Sequence, residues 1–163
     1  MKITDKHVLF WGGEFSNFYP CEIKYEVNGE TLSFPSSEHI FMWLKAKAFG
    51  DNEAAEKILN AEHPKDAKKI GRTVRNFDEK SWAEIRYEKM LCAVTLKFHQ
   101  NEELKNFILS KEFEGKHFVE ASPFDKIWGI GYDEHHINAD NEEKWNGLNL
   151  LGKCLDEVRD SLK

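Results

Sequence analysis

Apolar and polar residues alternate through "CEIKYEVNGETLSF" (21–34), on both sides of Asn28-Gly29. A period of two sends successive side chains to opposite faces of a strand, and Asn-Gly supplies two residues tolerant of positive φ. The stretch therefore predicts a β-hairpin. "HVLFW" (7–11), a short apolar run before Gly12-Gly13, predicts a strand, and "KHFVEAS" (116–122) predicts another. From residue 35 the period lengthens. Pro35 and Ser36 or Ser37 open a helix with Ile40, Phe41, Leu44 and Ala48 on one face. Short helices are predicted over "NEAAEKILN" (52–60) and from Pro64 toward Gly71. Asp78 caps a long one over 79–100, with a stripe of Tyr87, Met90, Leu91, Val94 and Phe98. "EELKNFILS" (102–110) is a further helix, and "PFDKIWGIGYD" (123–133) is a glycine-containing loop. The last helix carries Leu148, Leu151, Leu155, Val158 and Leu162 at three- and four-residue spacing. The expected class is α+β, mostly helical with a few short strands.

Composition narrows the classes. With 163 residues and no repeat or linker, the chain is expected to form a single domain over 1–163. Hydrophobic residues make up 40% and charged residues 32%, as in an ordinary folded protein. No apolar run approaches the ~20 residues of a membrane span, and "MKITDKH" lacks the apolar core of a signal peptide. Cys21, Cys92 and Cys154 are scattered and form no C-x-x-C pair; a reduced, cytoplasmic setting and core positions suit them. No membrane partner is expected. The net charge of -6 opposes a grip on long nucleic acid, which needs a basic face. The exception is "PKDAKKIGRTVR" (64–75), where Lys65, Lys68, Lys69, Arg72 and Arg75 face a single acid, Asp66. It fits either a phosphate-binding cluster or a solvated helix face.

The candidate chemistry centres on Glu38. It falls in the first turn of its predicted helix, where free N–H groups and the dipole favour an anion. That position suits a simple helix-start acid as well as an active-site carboxylate. Phe41, Met42 and Lys45 lie three, four and seven residues on, near the same face, and apolar neighbours would oppose the dipole's lowering of its pKa. His39 points about 100° away and reads as a packing or supporting histidine. Trp43, Trp82 and Trp145 fit core positions. Trp128, in a loop ahead of glycines, fits either a core position or a stacking surface for a planar base, with Asp125 reaching a sugar hydroxyl. In the polar-aromatic loop "GGEFSNFYP" (12–20), Asn17 either bonds a ring edge or ends a turn, with Phe18 beside it. The amides of Gly129 to Gly131 are a weak candidate cradle for a phosphate or sugar oxygen. No metal-ligand spacing and no dinucleotide or Walker glycine pattern is present, so neither a metal nor a cofactor is expected.

Several segments occur in an order that resembles a known family: "FSNFYP" (15–20), "PSSEHIFMWLKA" (35–46), "GR" (71–72), "SW" (81–82), "KMLCAVTLKFHQN" (89–101), "EASPFDKIWGIG" (120–131) and "GLNLLGKCL" (147–155). Together they resemble the NADAR family, including its YbiA-like N-glycosidases, over nearly the whole chain. The resemblance implies a YbiA-like fold and a metal-independent hydrolase of the bond between ribose C1 and nitrogen. Its implied substrates are small phosphorylated ribosides, the phosphoribosylaminopyrimidine intermediates of riboflavin biosynthesis. In other branches they are ADP-ribosylated guanine in nucleotides or nucleic acid. It further implies Glu38 as the catalytic carboxylate, Trp128 as the tryptophan of the W-G motif, Trp82 as a second motif tryptophan and Lys45 as the lysine of the first helix. On that basis Asn17, Phe18, Lys45, Arg72, Trp82, Asp125, Trp128 and Gly129 are the expected substrate-binding residues, with Arg72 and Lys45 or Lys68 on phosphate. A non-catalytic module binding ADP-ribose or a nucleotide is the competing reading.

Overall fold

Three helices start in the same way, and this fixes much of the architecture. In a computed structural model that describes residues 1–163, Ser36 Oγ accepts from the amide of His39 and opens α1 (Ser37–Ala48). Asp51 accepts from the amide of Ala54 and opens α2 (Asn52–Leu59). Asp78 accepts from the amide of Ser81 and opens α4 (Glu79–Gln100). Each side chain satisfies an N–H that the first helical turn leaves without a partner. Between α2 and α4, α3 (Pro64–Gly71) begins on a proline, whose missing N–H costs nothing at that position.

The chain folds into two compact units. One is formed by Asn17–Asn101. Its hairpin pairs β3 (Ile23–Val27) with β4 (Glu30–Phe34) antiparallel, Val27 opposite Glu30. Asn28 and Gly29 turn it with φ of 51° and 80°, the positive values that the Asn-Gly pair predicted. The centre of this unit is α1. Every residue from Ser37 to Leu44 is buried, as is Ala46. A helix buried on all sides is enclosed by neighbours rather than laid on a surface. Trp43 packs edge-on against Tyr25 and Phe34 of the hairpin. The stripe of α4 buries Met90, Ala93, Val94 and Phe98, with Tyr87 and Leu91 half-buried. Ala48, expected on the apolar face of α1, is exposed because the last turn of the helix emerges from that enclosure.

The other unit comprises Met1–Ser16 and Glu102–Lys163. Its sheet has the order β1 (Lys2–Ile3), β2 (His7–Phe10), β5 (His117–Glu120), with β1 antiparallel and β5 parallel to β2. Phe118 meets Phe15 with ring centroids 4.6 Å apart, and Phe107 and Phe113 complete that aromatic cluster. Leu9 and Val119 pack with Ala121, Ile130 and Ala139. α5 (Glu102–Ile108) and α6 (Leu150–Leu162) supply the helices. α6 buries Leu151, Cys154, Leu155 and Val158. Leu148 does not join that stripe: Asn149 takes a left-handed φ of 52° and starts the helix after it, leaving Leu148 half exposed. No helix is long and apolar enough to cross a membrane.

Candidate active site

Glu38 sits in the first turn of α1 and is only 7% exposed. The residues around it show why the chain places a carboxylate there. Its amide donates to the carbonyl of Asn17 at 3.0 Å. The next hydroxyl back, Ser37 Oγ, donates to Asn17 Oδ1 at 2.9 Å. Asn17 is itself buried, with Nδ2 on Met90 Sδ at 3.2 Å. Asn17 therefore ties the preceding loop to the start of α1 through main chain and side chain together.

His39 turns away and is wholly buried. Its Nδ1 lies 2.6 Å from Ser36 Oγ and its Nε2 2.9 Å from the carbonyl of Ala61. A carbonyl only accepts, so Nε2 carries the proton and Nδ1 accepts from the serine hydroxyl. Burial pushes the His39 pKa below the usual histidine value, partly offset by the Ala61 hydrogen bond, which suits this neutral tautomer. The histidine of the Glu-His pair is thus a structural tie between α1 and the chain at Ala61.

Lys45, two turns after Glu38, is attracted by Glu79 and, less strongly, by Glu38. Burial lowers the Lys45 pKa; Glu79 and Glu38 pull it up, and Arg72 lowers it further. The ammonium lies 4.6 Å from the centroid of the Phe77 ring and 5.7 Å from that of Trp82. Trp82 is buried, packed on Phe41 at 5.4 Å and Phe49 at 6.2 Å. Its ring forms a wall behind Lys45 rather than an open stacking surface. Arg72 ends α3, and its approach depends on Gly71: a Cβ at Gly71 would collide with Met42 of α1. The "GR" pair is therefore a close helix contact followed by an exposed guanidinium.

The basic segment is divided between two tasks. Arg75 is committed elsewhere, with its amide 2.8 Å from Asp51 Oδ2 and its guanidinium 3.1 Å from Asp51 Oδ1. Lys68 lies over the ring of Phe18, 5.8 Å from its centroid, and Phe18 is 40% exposed. Lys45 is the cation whose charge is coupled to Glu38, and Arg72 in turn is coupled to Lys45.

In the other unit, the 123–133 loop is tightly tied. Asp125 Oδ1 accepts from the amides of Ile127 at 2.9 Å and Trp128 at 2.8 Å. Trp128 is half-buried. Gly129 has no room for a side chain, since a Cβ would meet the carbonyls of Asp125 and Glu120 at 2.9 Å each. The expectation that the amides of residues 129–131 cradle an anion is corrected for two of them. Ile130 N donates to Glu120 O at 3.0 Å and Gly131 N to Asp125 O at 3.1 Å, so both are spent in closing the loop. Asn149 fastens the same region to the sheet: Oδ1 accepts from Glu120 N at 3.0 Å, and Nδ2 donates to Phe118 O at 3.0 Å.

Three residues escaped the sequence reading. Phe77 precedes the Asp78 cap by one residue and Trp82 follows it by four, the two positions of a hydrophobic staple, and that pattern was available. Lys97 is 1% exposed on α4, between Val94 and Phe98, where a lysine interrupts an apolar stripe. Asn149 gave no signal beyond a polar residue at a helix start.

Comparison with known proteins agrees with this architecture. N-glycosidase R617 of Acanthamoeba polyphaga mimivirus is 38% identical over 166 residues, covering 96% of each chain. N-glycosidase YbiA of Escherichia coli (strain K12) is 32% identical over 150 residues, 92% of this chain and 81% of that protein. The NMR structure of the E. coli protein YbiA aligns with a TM-score of 0.74 at 30% identity, over 99% of this chain and 87% of that one. The mostly helical α+β fold expected from the resemblance is the fold observed. Riboflavin biosynthesis protein VVA0006 of Vibrio vulnificus (strain YJ016) is 34% identical over 151 residues, 93% of this chain but 36% of that longer protein. The NADAR domain model matches residues 9–163, and the chain belongs to the NADAR domain family.

Proposed function

We propose that this protein is an N-glycosidase, a hydrolase of the bond between ribose C1 and the nitrogen of a base, with Glu38 as its catalytic carboxylate. The observation that carries the reading is a glutamate buried to 7% exposure at a helix start, electrostatically coupled to the half-buried Lys45. The names of the mimiviral and E. coli relatives support the reaction class.

Cleavage of such a bond builds positive charge on C1 and the ring oxygen. The base departs with the electron pair of the C1–N bond and takes a proton from solvent, while water adds its oxygen to C1 and gives up a proton. Ionised Glu38 accepts the proton of that water and stabilises the cationic sugar, and no covalent intermediate on the carboxylate is needed. Arg72, with Lys45 or Lys68, binds a phosphate of the substrate. Phe18 beside Lys68 forms an edge of the phosphate region, and Trp82 backs Lys45. In the other unit, Asp125, through the amides of Ile127 and Trp128, and Gly129, through its close approach to two carbonyls, fix the loop that carries Trp128. The proposed substrates are phosphoribosylated aminopyrimidines, in line with the name of the Vibrio relative.

The test is a side-by-side incubation with a phosphoribosylaminopyrimidine and with ADP-ribosylated guanosine, following ribose 5-phosphate and ADP-ribose, each with and without chelator. Release of ribose 5-phosphate at an undiminished rate in chelator is expected. Release of ADP-ribose alone would move the substrate to the ADP-ribosyl class. Tight binding without turnover of either would mark a binding module.

A further inference from the structure

We propose that Phe77 is a positioning residue for Lys45, holding the ammonium over its ring, and that the Asp51–Arg75 pair is the tether that holds Phe77 in place. The tether is built from both main and side chain. Asp51, the cap of α2, takes the amide of Arg75 at 2.8 Å and its guanidinium at 3.1 Å. Asn76 then turns the chain with a left-handed φ of 60°, a conformation asparagine tolerates better than most residues. Phe77 follows and is seated edge-on against Phe49, ring centroids 5.3 Å apart at 66°. The face of Phe77 lies 4.6 Å from Lys45 Nζ, close enough for the ring quadrupole to attract the cation.

The arrangement answers a physical difficulty. Burial disfavours the charged form of Lys45, and Arg72 at the end of α3 repels it. Glu38 on its own helix and Glu79 on α4 attract it. An ammonium drawn wholly onto Glu38 would neutralise the carboxylate that must face a cationic sugar. An aromatic ring stabilises the cation without adding a negative charge that competes for it. Phe77 is 40% exposed, so its placement over Lys45 leaves part of the ring open toward solvent.

The functional consequence rests on the N-glycosidase reading; the placement of Lys45 does not, so the experiment reads it without substrate. Lysine-labelled protein is titrated by NMR, with Lys45 assigned by its loss in Lys45→Arg. Phe77→Leu keeps bulk and removes the quadrupole; Phe77→Tyr keeps both. Removing the cation–ring contact should lower the Lys45 midpoint by about half a pH unit in Phe77→Leu, with Phe77→Tyr close to the parent. With substrate, Phe77→Leu should raise KM for the phosphorylated riboside about three- to tenfold, and Phe77→Tyr should restore it. If Phe77→Leu loses its fold, Arg75→Ala, which removes the guanidinium half of the tether and leaves the amide on Asp51, carries the test and should move the midpoint the same way by a smaller amount. An unchanged midpoint in folded Phe77→Leu, or in Arg75→Ala where Phe77→Leu does not fold, overturns the proposal, even in an active enzyme. A shifted midpoint in a protein that hydrolyses no riboside supports it and overturns the N-glycosidase reading instead.

Discussion

The amide of Glu38 donates to the carbonyl of Asn17 across 3.0 Å, so the carboxylate is hung from the loop before α1 as well as from its own helix. Asn17 also receives the Ser37 hydroxyl and gives its amide to Met90 Sδ. Asn17→Ala leaves the main-chain link but strips both side-chain bonds. A loss of about 1 kcal/mol is expected by chemical denaturation, from one buried hydrogen bond with a weaker contact to sulfur. The fall in kcat should exceed any rise in KM if Glu38 is the proposed catalytic carboxylate, since it loses placement rather than affinity.

Ser36→Ala removes two bonds at once, the cap on the His39 amide and the hydroxyl donated to Nδ1. A lost cap costs ~1 kcal/mol, and an unsatisfied buried ring nitrogen adds a comparable amount. Thermal unfolding should therefore show a loss of about 2 kcal/mol.

The neutral state of His39 has a pH signature. Its folded pKa lies below the ordinary 6.5, so between those two values the unfolded chain binds the extra proton and the folded chain does not. Stability from this residue is complete above about pH 6.5 and declines as pH falls through and below that value. His39→Gln should be less stable than the parent at pH 7.5 and should flatten the parent's decline toward pH 5.5, as read from Tm at each pH.

Asp51 acts at lower pH. The amide and guanidinium of Arg75, with the amide of Ala54, hold its carboxyl down to about 2 from an ordinary 3.8. The stabilisation is complete above the ordinary value and disappears as pH falls toward 2. Asp51→Asn should remove that part of the acid transition and lower Tm at neutral pH, with little change in Tm below pH 2.

Gly71→Ala sets two effects against each other. Alanine inside a helix gains up to ~1 kcal/mol over glycine, while forcing a methyl onto Met42 costs ~1–3 kcal/mol. The collision involves a side chain held within the enclosure of α1, so a net loss is expected by denaturant unfolding. Arg72 moves with the end of α3, and KM for a phosphorylated substrate should rise.

Local chemistry made most of the elements legible. The Asn-Gly turn, the Asp78 cap and the Pro64 start marked their elements because each acts within a few residues. Where the expectation failed, the cause lay beyond the segment. Ala48 keeps helical spacing, but whether it is covered depends on where the enclosure of α1 stops. Leu148 has the spacing of its stripe, yet Asn149 bends the chain to reach Phe118 and Glu120. Two of the three amides in the Gly129–Gly131 run are spent at 3.0 and 3.1 Å in closing the loop, and those bonds were invisible in sequence. Around Glu38 the sequence placed the carboxylate, Lys45 and Arg72 in one candidate set, and electrostatic coupling among Lys45, Glu38 and Arg72 is what the structure adds. Phe77 was missed because its significance comes from a neighbour thirty-two positions away in the chain.

The most direct measurement is single-turnover hydrolysis of a phosphoribosylaminopyrimidine by Glu38→Gln beside the parent, with Tm recorded for both. The amide keeps the shape of the side chain and its buried position but accepts no proton from water. A fall in rate of about a hundredfold or more at a Tm within a few degrees is expected. Full activity in a folded Glu38→Gln protein would contradict the assignment.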